Sequence, residues 1–100
     1  MEVILAAGNA RSMAYAALRA AKQGDFKAAE AHMACSRREL AKAHDVQTQL
    51  IQQEAAGHPA PLNLLMIHAQ DHLMTAIAEQ QLIQELIELH QKLGGFSQGE

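Results

Sequence analysis

The stretch Leu64-Leu65-Met66-Ile67-His68-Ala69-Gln70-Asp71-His72-Leu73-Met74-Thr75 sets two histidines and a carboxylate in a run that otherwise reads as buried helix. On a helix, His68, Asp71, His72 and Thr75 fall at i, i+3, i+4 and i+7 and so share one face. A polar, titratable stripe therefore cuts through an apolar segment. Buried polar groups without partners are costly, so the stripe must be paired, bind an ion or line an opening.

Downstream the helical period continues. Leu65, Ala69, Leu73, Ala76, Ile83 and Ile87 form one apolar stripe, and Leu64, Ile67, Met74, Ala78, Leu82, Leu86 and Leu89 broaden it to the other side. This predicts a helix over about residues 62–93, with Pro61 in its first turn, Gly94-Gly95 as its stop and Phe96 to Glu100 as a frayed tail. Upstream, Gly57-His58-Pro59-Ala60-Pro61 ends a helix over residues 26–55 and reverses the chain. That helix carries Phe26, Ala29, Met33, Leu40, Ala43, Val46, Leu50 and Ile51 at spacings of 3, 4 and 7. Gly24 reads as the residue just past a first helix over residues 2–23, and Asp25 as the cap of the second. A 30-residue helix spans about 45 Å, and short connections make sequential neighbours antiparallel. The expected fold is all-α, an antiparallel three-helix bundle in one domain of 100 residues. The apolar surface of the third helix exceeds what two neighbours can cover, which predicts self-association.

Composition narrows the function. The 11 acids and 8 bases give a formal charge of -3, without the basic footprint of a nucleic-acid binder. Tyr15, Phe26 and Phe96 are the only aromatics, so a large aromatic ligand pocket is not expected. Cys35, the single cysteine, forms no intrachain disulfide, matches no metal spacing and reads as a buried thiol. There is no run of 18 or more apolar residues and no basic region before an apolar start, as in a soluble cytoplasmic protein.

His68 is either a structural histidine bonded to a neighbouring helix or an exposed ring able to attack a phosphoryl donor or ligate a metal. Asp71 could orient a histidine, ligate a cation or be a surface acid. If like helices meet at a symmetry axis, copies of Asp71 converge and repel unless protonated or bridged by a hard cation such as magnesium. His72 stands at i, i+4 from His68, a metal-ligand spacing, with His44 as a possible third ligand, but there is no His-Glu-x-x-His motif. A second candidate lies near the start. Gly8 interrupts a helix at a cost of roughly 1 kcal/mol relative to alanine, which suits close approach of backbone or ligand. Arg11, with Ser12 beside it, can hold a phosphoryl oxygen or an acidic partner, or be solvated. Asn9 and Gln47 are amides that are either solvated or reach across a seam.

Four blocks then look familiar: Ala7-Gly8-Asn9-Ala10-Arg11-Ser12 with Tyr15-Ala16-Ala17-Leu18; Ala21-Lys22-Gln23-Gly24-Asp25-Phe26; Ala43-His44-Asp45-Val46-Gln47-Thr48-Gln49-Leu50; and His68-Ala69-Gln70-Asp71-His72-Leu73-Met74-Thr75. Over nearly its whole length the chain resembles the lactose/cellobiose (chitobiose) family of enzyme IIA proteins of the bacterial phosphoenolpyruvate-dependent sugar phosphotransferase system. The resemblance implies a three-helix protomer that assembles as a trimeric nine-helix bundle. It implies phosphorylation of His68 by the histidine carrier protein HPr and transfer onward to a cysteine of the cognate enzyme IIB. Enzyme IIC carries the sugar at the membrane. It also implies that Asp71 meets its symmetry mates around one magnesium ion per trimer, and His72 is given a supporting role beside His68. The chain departs from the family in two places. It begins seven residues before Gly8, so either a clipped first helix or a mis-set start is expected, and His58 with two prolines replaces the family's glutamate-bearing turn. The competing readings are a non-catalytic helical-bundle interaction module, with the polar stripe setting register, and a metal hydrolase. The sugar, whether lactose, cellobiose or diacetylchitobiose, is not encoded in this chain, since the carrier does not bind it.

Overall fold

Gly24 and Asp25 make the first corner of the chain. The computed structural model describes the backbone of residues 2–98 and the side chains of residues 2–94. Its first helix, α1 (Glu2–Lys22), ends where Gly24 takes φ 81°, a left-handed conformation open to a residue without Cβ. The Gly24 N–H donates to the Ala21 carbonyl at 3.0 Å and the Asp25 N–H to that of Ala20 at 2.9 Å, which satisfies acceptors left free by the helix end. Asp25 Oδ1 then accepts the Ala28 N–H at 3.1 Å and caps α2 (Phe26–Ala55). A second left-handed glycine, Gly57 at φ 90°, follows the end of α2.

The third helix, α3 (Leu64–Gln98), differs at both ends from its sequence-based bounds. Pro61 and Leu62 precede it, because Asn63 caps it instead: Asn63 Oδ1 accepts the Met66 N–H at 2.8 Å. At the far end Gly94-Gly95 does not stop it. Both glycines lie within the helix. The helix continues beside the Phe26 ring of α2, where a Cβ on Gly94 would lie 3.8 Å from Cε2. The tail read for Phe96 to Glu100 is helical through Gln98, and residues 99 and 100 lie outside the described residues.

The start of α1 lies beside the end of α2 and the start of α3, and its end beside Phe26 and His90. The topology is up-down-up, 61 Å long and about 20 Å across, with no strand among the described residues. α1 packs extensively on both partners, whereas α2 and α3 meet along a thinner seam. The reason lies in the inner face of α1, which apart from Val3 is alanine: Ala6, Ala7, Ala10, Ala14, Ala17 and Ala21. Small side chains let neighbouring helices approach closely and leave little volume between them. Toward one end these alanines meet Leu40, Leu73 and Ala76, toward the other Met33, Ile83 and Ile87. Between the clusters sits Ser36, fully buried. Its hydroxyl donates to the Ala10 carbonyl at 2.7 Å and accepts Gln80 Nε2–H at 2.9 Å, joining all three helices.

Several sequence-based assignments of burial change. Within Leu64 to Thr75 only Ala69 and Leu73 are buried in the protomer, and Leu65 is half exposed. The broadening stripe of α3 faces outward: Leu64, Ile67, Met74, Leu82, Leu86 and Leu89 are all exposed. Cys35 is half-buried, not buried, with Arg38 Nη2 at 3.0 Å from its sulfur. The 3.6-residue period marks both faces of α3 as apolar but does not say which one the protomer itself covers.

Candidate functional site

His68 stands exposed on the outer surface of α3. One turn later, half-buried His72 places its ring parallel to that of His68, with centroids 5.9 Å apart and planes inclined by 9°. The i, i+4 relation brings the rings together. The environment of His72 then comes from α1. Arg11 Nη1 lies 3.4 Å from His72 Nδ1, and Arg11 Nη2 donates to Thr75 Oγ1 at 2.7 Å. Arg11 Nε is 3.0 Å from Glu79 Oε1, an ion pair in which the N–H is not aligned on the oxygen. The other Glu79 oxygen accepts the Tyr15 hydroxyl at 2.7 Å. Across the helix interface, a Cβ on Gly8 would lie 3.6 Å from His72 Nε2. Gly8 therefore borders the His72 ring at a distance where a Cβ would make only ordinary contact, not the close approach expected of it, and Arg11 holds an acidic partner. Ser12 is exposed and apart from these contacts.

Asp71 faces outward, flanked along the helix by Ile67, Met74 and Ala78, so its carboxylate interrupts an exposed apolar stripe. Gln47 reaches across the α2–α3 seam: its Nε2 donates to Gln70 Oε1 at 2.6 Å and lies 3.8 Å from Met74 Sδ. Asn9 remains exposed. Among the described residues no three His, Cys, Asp or Glu side chains gather as a metal site within the protomer. His44 lies beside Asp45, Ile77 and Gln80, and is not brought to the His68–His72 pair as a third ligand.

Sequence reading missed Tyr15 and Glu79, which aim Arg11, and the Ser36–Gln80 link. Glu79 does carry a signal, because it continues the His68, His72, Thr75 face by four more residues. Tyr15 likewise follows Arg11 by four.

Fold and site define a helical-bundle protein that presents an imidazole, His68, on its surface. The family that fits is specific. Residues 1–91 match the family described as the lactose/cellobiose-specific IIA subunit of the PTS system, and the chain belongs to it. It is 55% identical over 93 residues to the N,N'-diacetylchitobiose-specific EIIA component of Escherichia coli strain K12, covering 93% of this chain and 80% of that relative. The fold superposes with TM-score 0.90 on the cellobiose-specific enzyme IIA of Bacillus anthracis, at 46% identity over 94% of this chain and 86% of that one. It also matches a solution structure of the IIA(chitobiose)–HPr complex of the Escherichia coli phosphotransferase system, with TM-score 0.79 and 53% identity over 92% of this chain and 89% of that one. The chain is thus a phosphotransferase-system component, a carrier of phosphoryl groups in sugar transport.

Proposed function

We propose that His68 is the phosphoacceptor, charged by phospho-HPr and discharged to the cysteine of a cognate enzyme IIB, while enzyme IIC moves the sugar across the membrane. One observation carries this reading: an exposed imidazole stacked on a second, braced imidazole at the surface of a IIA fold. His68 attacks phosphorus through an unprotonated ring nitrogen. The phosphorus–nitrogen bond to the carrier's histidine breaks as the bond to His68 forms. The acceptor ring sheds a proton and the leaving ring gains one, so the exchange balances. Phosphoryl transfer rests mainly on positioning and electrostatics, which an ordered pair of rings supplies. His72 supports His68 in this role. Exposed Leu64 and Leu65, with Met66, form an apolar docking patch one turn away. No helix among the described residues is long and apolar enough to cross a membrane, and the proposed setting is the cytoplasm, beside the membrane subunit.

The functional unit in this proposal is a homotrimer. The outward stripe of α3 supports it, because exposed contiguous apolar surface of this extent marks an interface. Asp71 interrupts that stripe. Three copies brought to an axis would repel one another, and a magnesium ion held by their oxygens would neutralise them. The hard carboxylate oxygen fits that ion, whereas a single protomer offers too few ligands to hold it.

The test is intact mass after incubation with phosphoenolpyruvate, enzyme I and HPr. The wild type is expected to gain one acid-labile phosphate per protomer, His68→Ala none, and His72→Ala a reduced share. Phosphate on His68→Ala, at His32, His44, His58, His72 or His90, would overturn the assignment.

A further inference from the structure

The Arg11 guanidinium is held on three sides. Glu79 pairs with Nε at 3.0 Å, and Tyr15 pins the far oxygen of that carboxylate at 2.7 Å, so the acid is fixed before it meets the arginine. Thr75 Oγ1 accepts from Nη2 at 2.7 Å, while its own hydroxyl has the Asp71 and His72 carbonyls as acceptors, each at 3.1 Å. The threonine hydroxyl can thus give its proton to the helix and offer a lone pair to Arg11. Nη1 is left facing His72 Nδ1 at 3.4 Å. A guanidinium has five donors and no acceptor, and it does not deprotonate in proteins. The nitrogen facing it must therefore be the one without a proton. In a neutral imidazole that puts the single proton on Nε2. Nε2 faces Gly8, where a Cβ would lie 3.6 Å away.

We propose that Arg11, aimed by Glu79 and Tyr15, is a positioning residue for phosphoryl transfer that holds His72 as its Nε2–H tautomer. The inference rests on His68 being the phosphoacceptor. It supplies a reason for the second histidine of the pair. With Nδ1 engaged and Nε2 protonated, His72 has no free lone pair with which to compete for phosphorus. The other tautomer would leave the Nε2 lone pair free to compete with His68 and would set an N–H against the guanidinium. Neutral imidazoles on their own favour Nε2–H only modestly, so a pure Nε2–H population needs the contact from α1.

Long-range proton–nitrogen correlation spectra of the full-length, nitrogen-15-labelled protein test this without any phosphoryl donor. At about pH 8.5, where an ordinary imidazole is neutral, His72 of the wild type is expected as Nε2–H. An Nδ1–H form or an even mixture overturns the proposal with no mutation needed. Arg11→Met is expected to give a mixture, and retention of pure Nε2–H in this variant assigns the tautomer to something other than Arg11 and overturns its role. In transfer from phospho-HPr, Arg11→Met is expected to lower kcat roughly tenfold, the loss seen when a partner that orients a metal-bound histidine is removed, with KM changed much less. A mixed tautomer with unchanged kcat overturns the catalytic consequence. Failure of the underlying reading is separate: it appears as phosphate retained on His68→Ala, whatever tautomer His72 adopts.

Discussion

Both oxygens of Glu79 are engaged, one by Arg11 and one by Tyr15. The phenol reports on that arrangement. Glu79 accepts its hydrogen bond and repels the phenolate, and with burial this pushes Tyr15 above its ordinary value of 10.0, against the opposing pull of Arg11. A raised folded value means the folded state keeps the proton while the unfolded chain releases it. The stabilisation from this contact is fully present below about pH 10 and is lost as pH rises through the folded value. Tyr15 is the only tyrosine, so ultraviolet titration reads it directly. The wild-type midpoint is expected above the ordinary value, and Glu79→Gln is expected to bring it back down; a wild-type midpoint at the ordinary value counts against the contact. Much of this site was legible beforehand. His68, Asp71 and His72 share a face by helical period alone, and Gly8 and Arg11 stand out as a glycine and a cation in an alanine-rich helix. Their partnership was not legible. The Arg11–Thr75 and Tyr15–Glu79 contacts each join residues 64 apart, and periodicity within one helix does not say which face of another will meet it.

Helix ends show the same division between local and tertiary causes. Gly24 and Asp25 act through their own backbone and side chain, so the α1–α2 corner could be read from two letters. Gly94 stays helical beside Phe26, a residue of another element, and Asn63 displaces Pro61 from the first turn by capping nearer the helix. Substitutions separate these cases. Gly24→Ala forces a Cβ into φ 81° and is expected to cost about 1–2 kcal/mol. Gly94→Ala meets only ordinary contact with the Phe26 ring and is expected to stabilise by up to about 1 kcal/mol. Ser36→Ala removes the acceptor of Gln80 Nε2 and the buried link between three helices, and is expected to cost about 1–3 kcal/mol. Denaturant unfolding at one fixed protomer concentration measures all three. A destabilised Gly94→Ala would show that α3 stops earlier than Gln98.

At the scale of the whole molecule, much of the core is alanine while most of the leucines are exposed, contrary to what an isolated small domain favours. The proposed trimer resolves this, and sedimentation equilibrium at micromolar concentration is expected to give three times the 10.9 kDa protomer mass. A monomer or dimer across that range would refute it. Asp71→Leu replaces a charge in the stripe with an apolar group of similar bulk. It is expected to assemble without divalent ion and still accept phosphate at His68, whereas chelator is expected to weaken the wild-type assembly. Wild-type assembly that ignores chelator, with no bound divalent ion, removes Asp71 from the ligand role. The alanine face of α1 has a different consequence, one for heredity. Ala7, Ala14 and Ala17 expose no surface at all, so neither direction of size change is neutral there. Glycine costs about 1 kcal/mol in helix propensity, and a larger side chain about 1–3 kcal/mol in overpacking. Drift is thereby channelled to the opposite face of the same helix. A library built to retarget this scaffold to new partners gains its viable diversity at Leu5, Asn9, Ser12 and Arg19, and loses most of its members if it randomises the alanines between them.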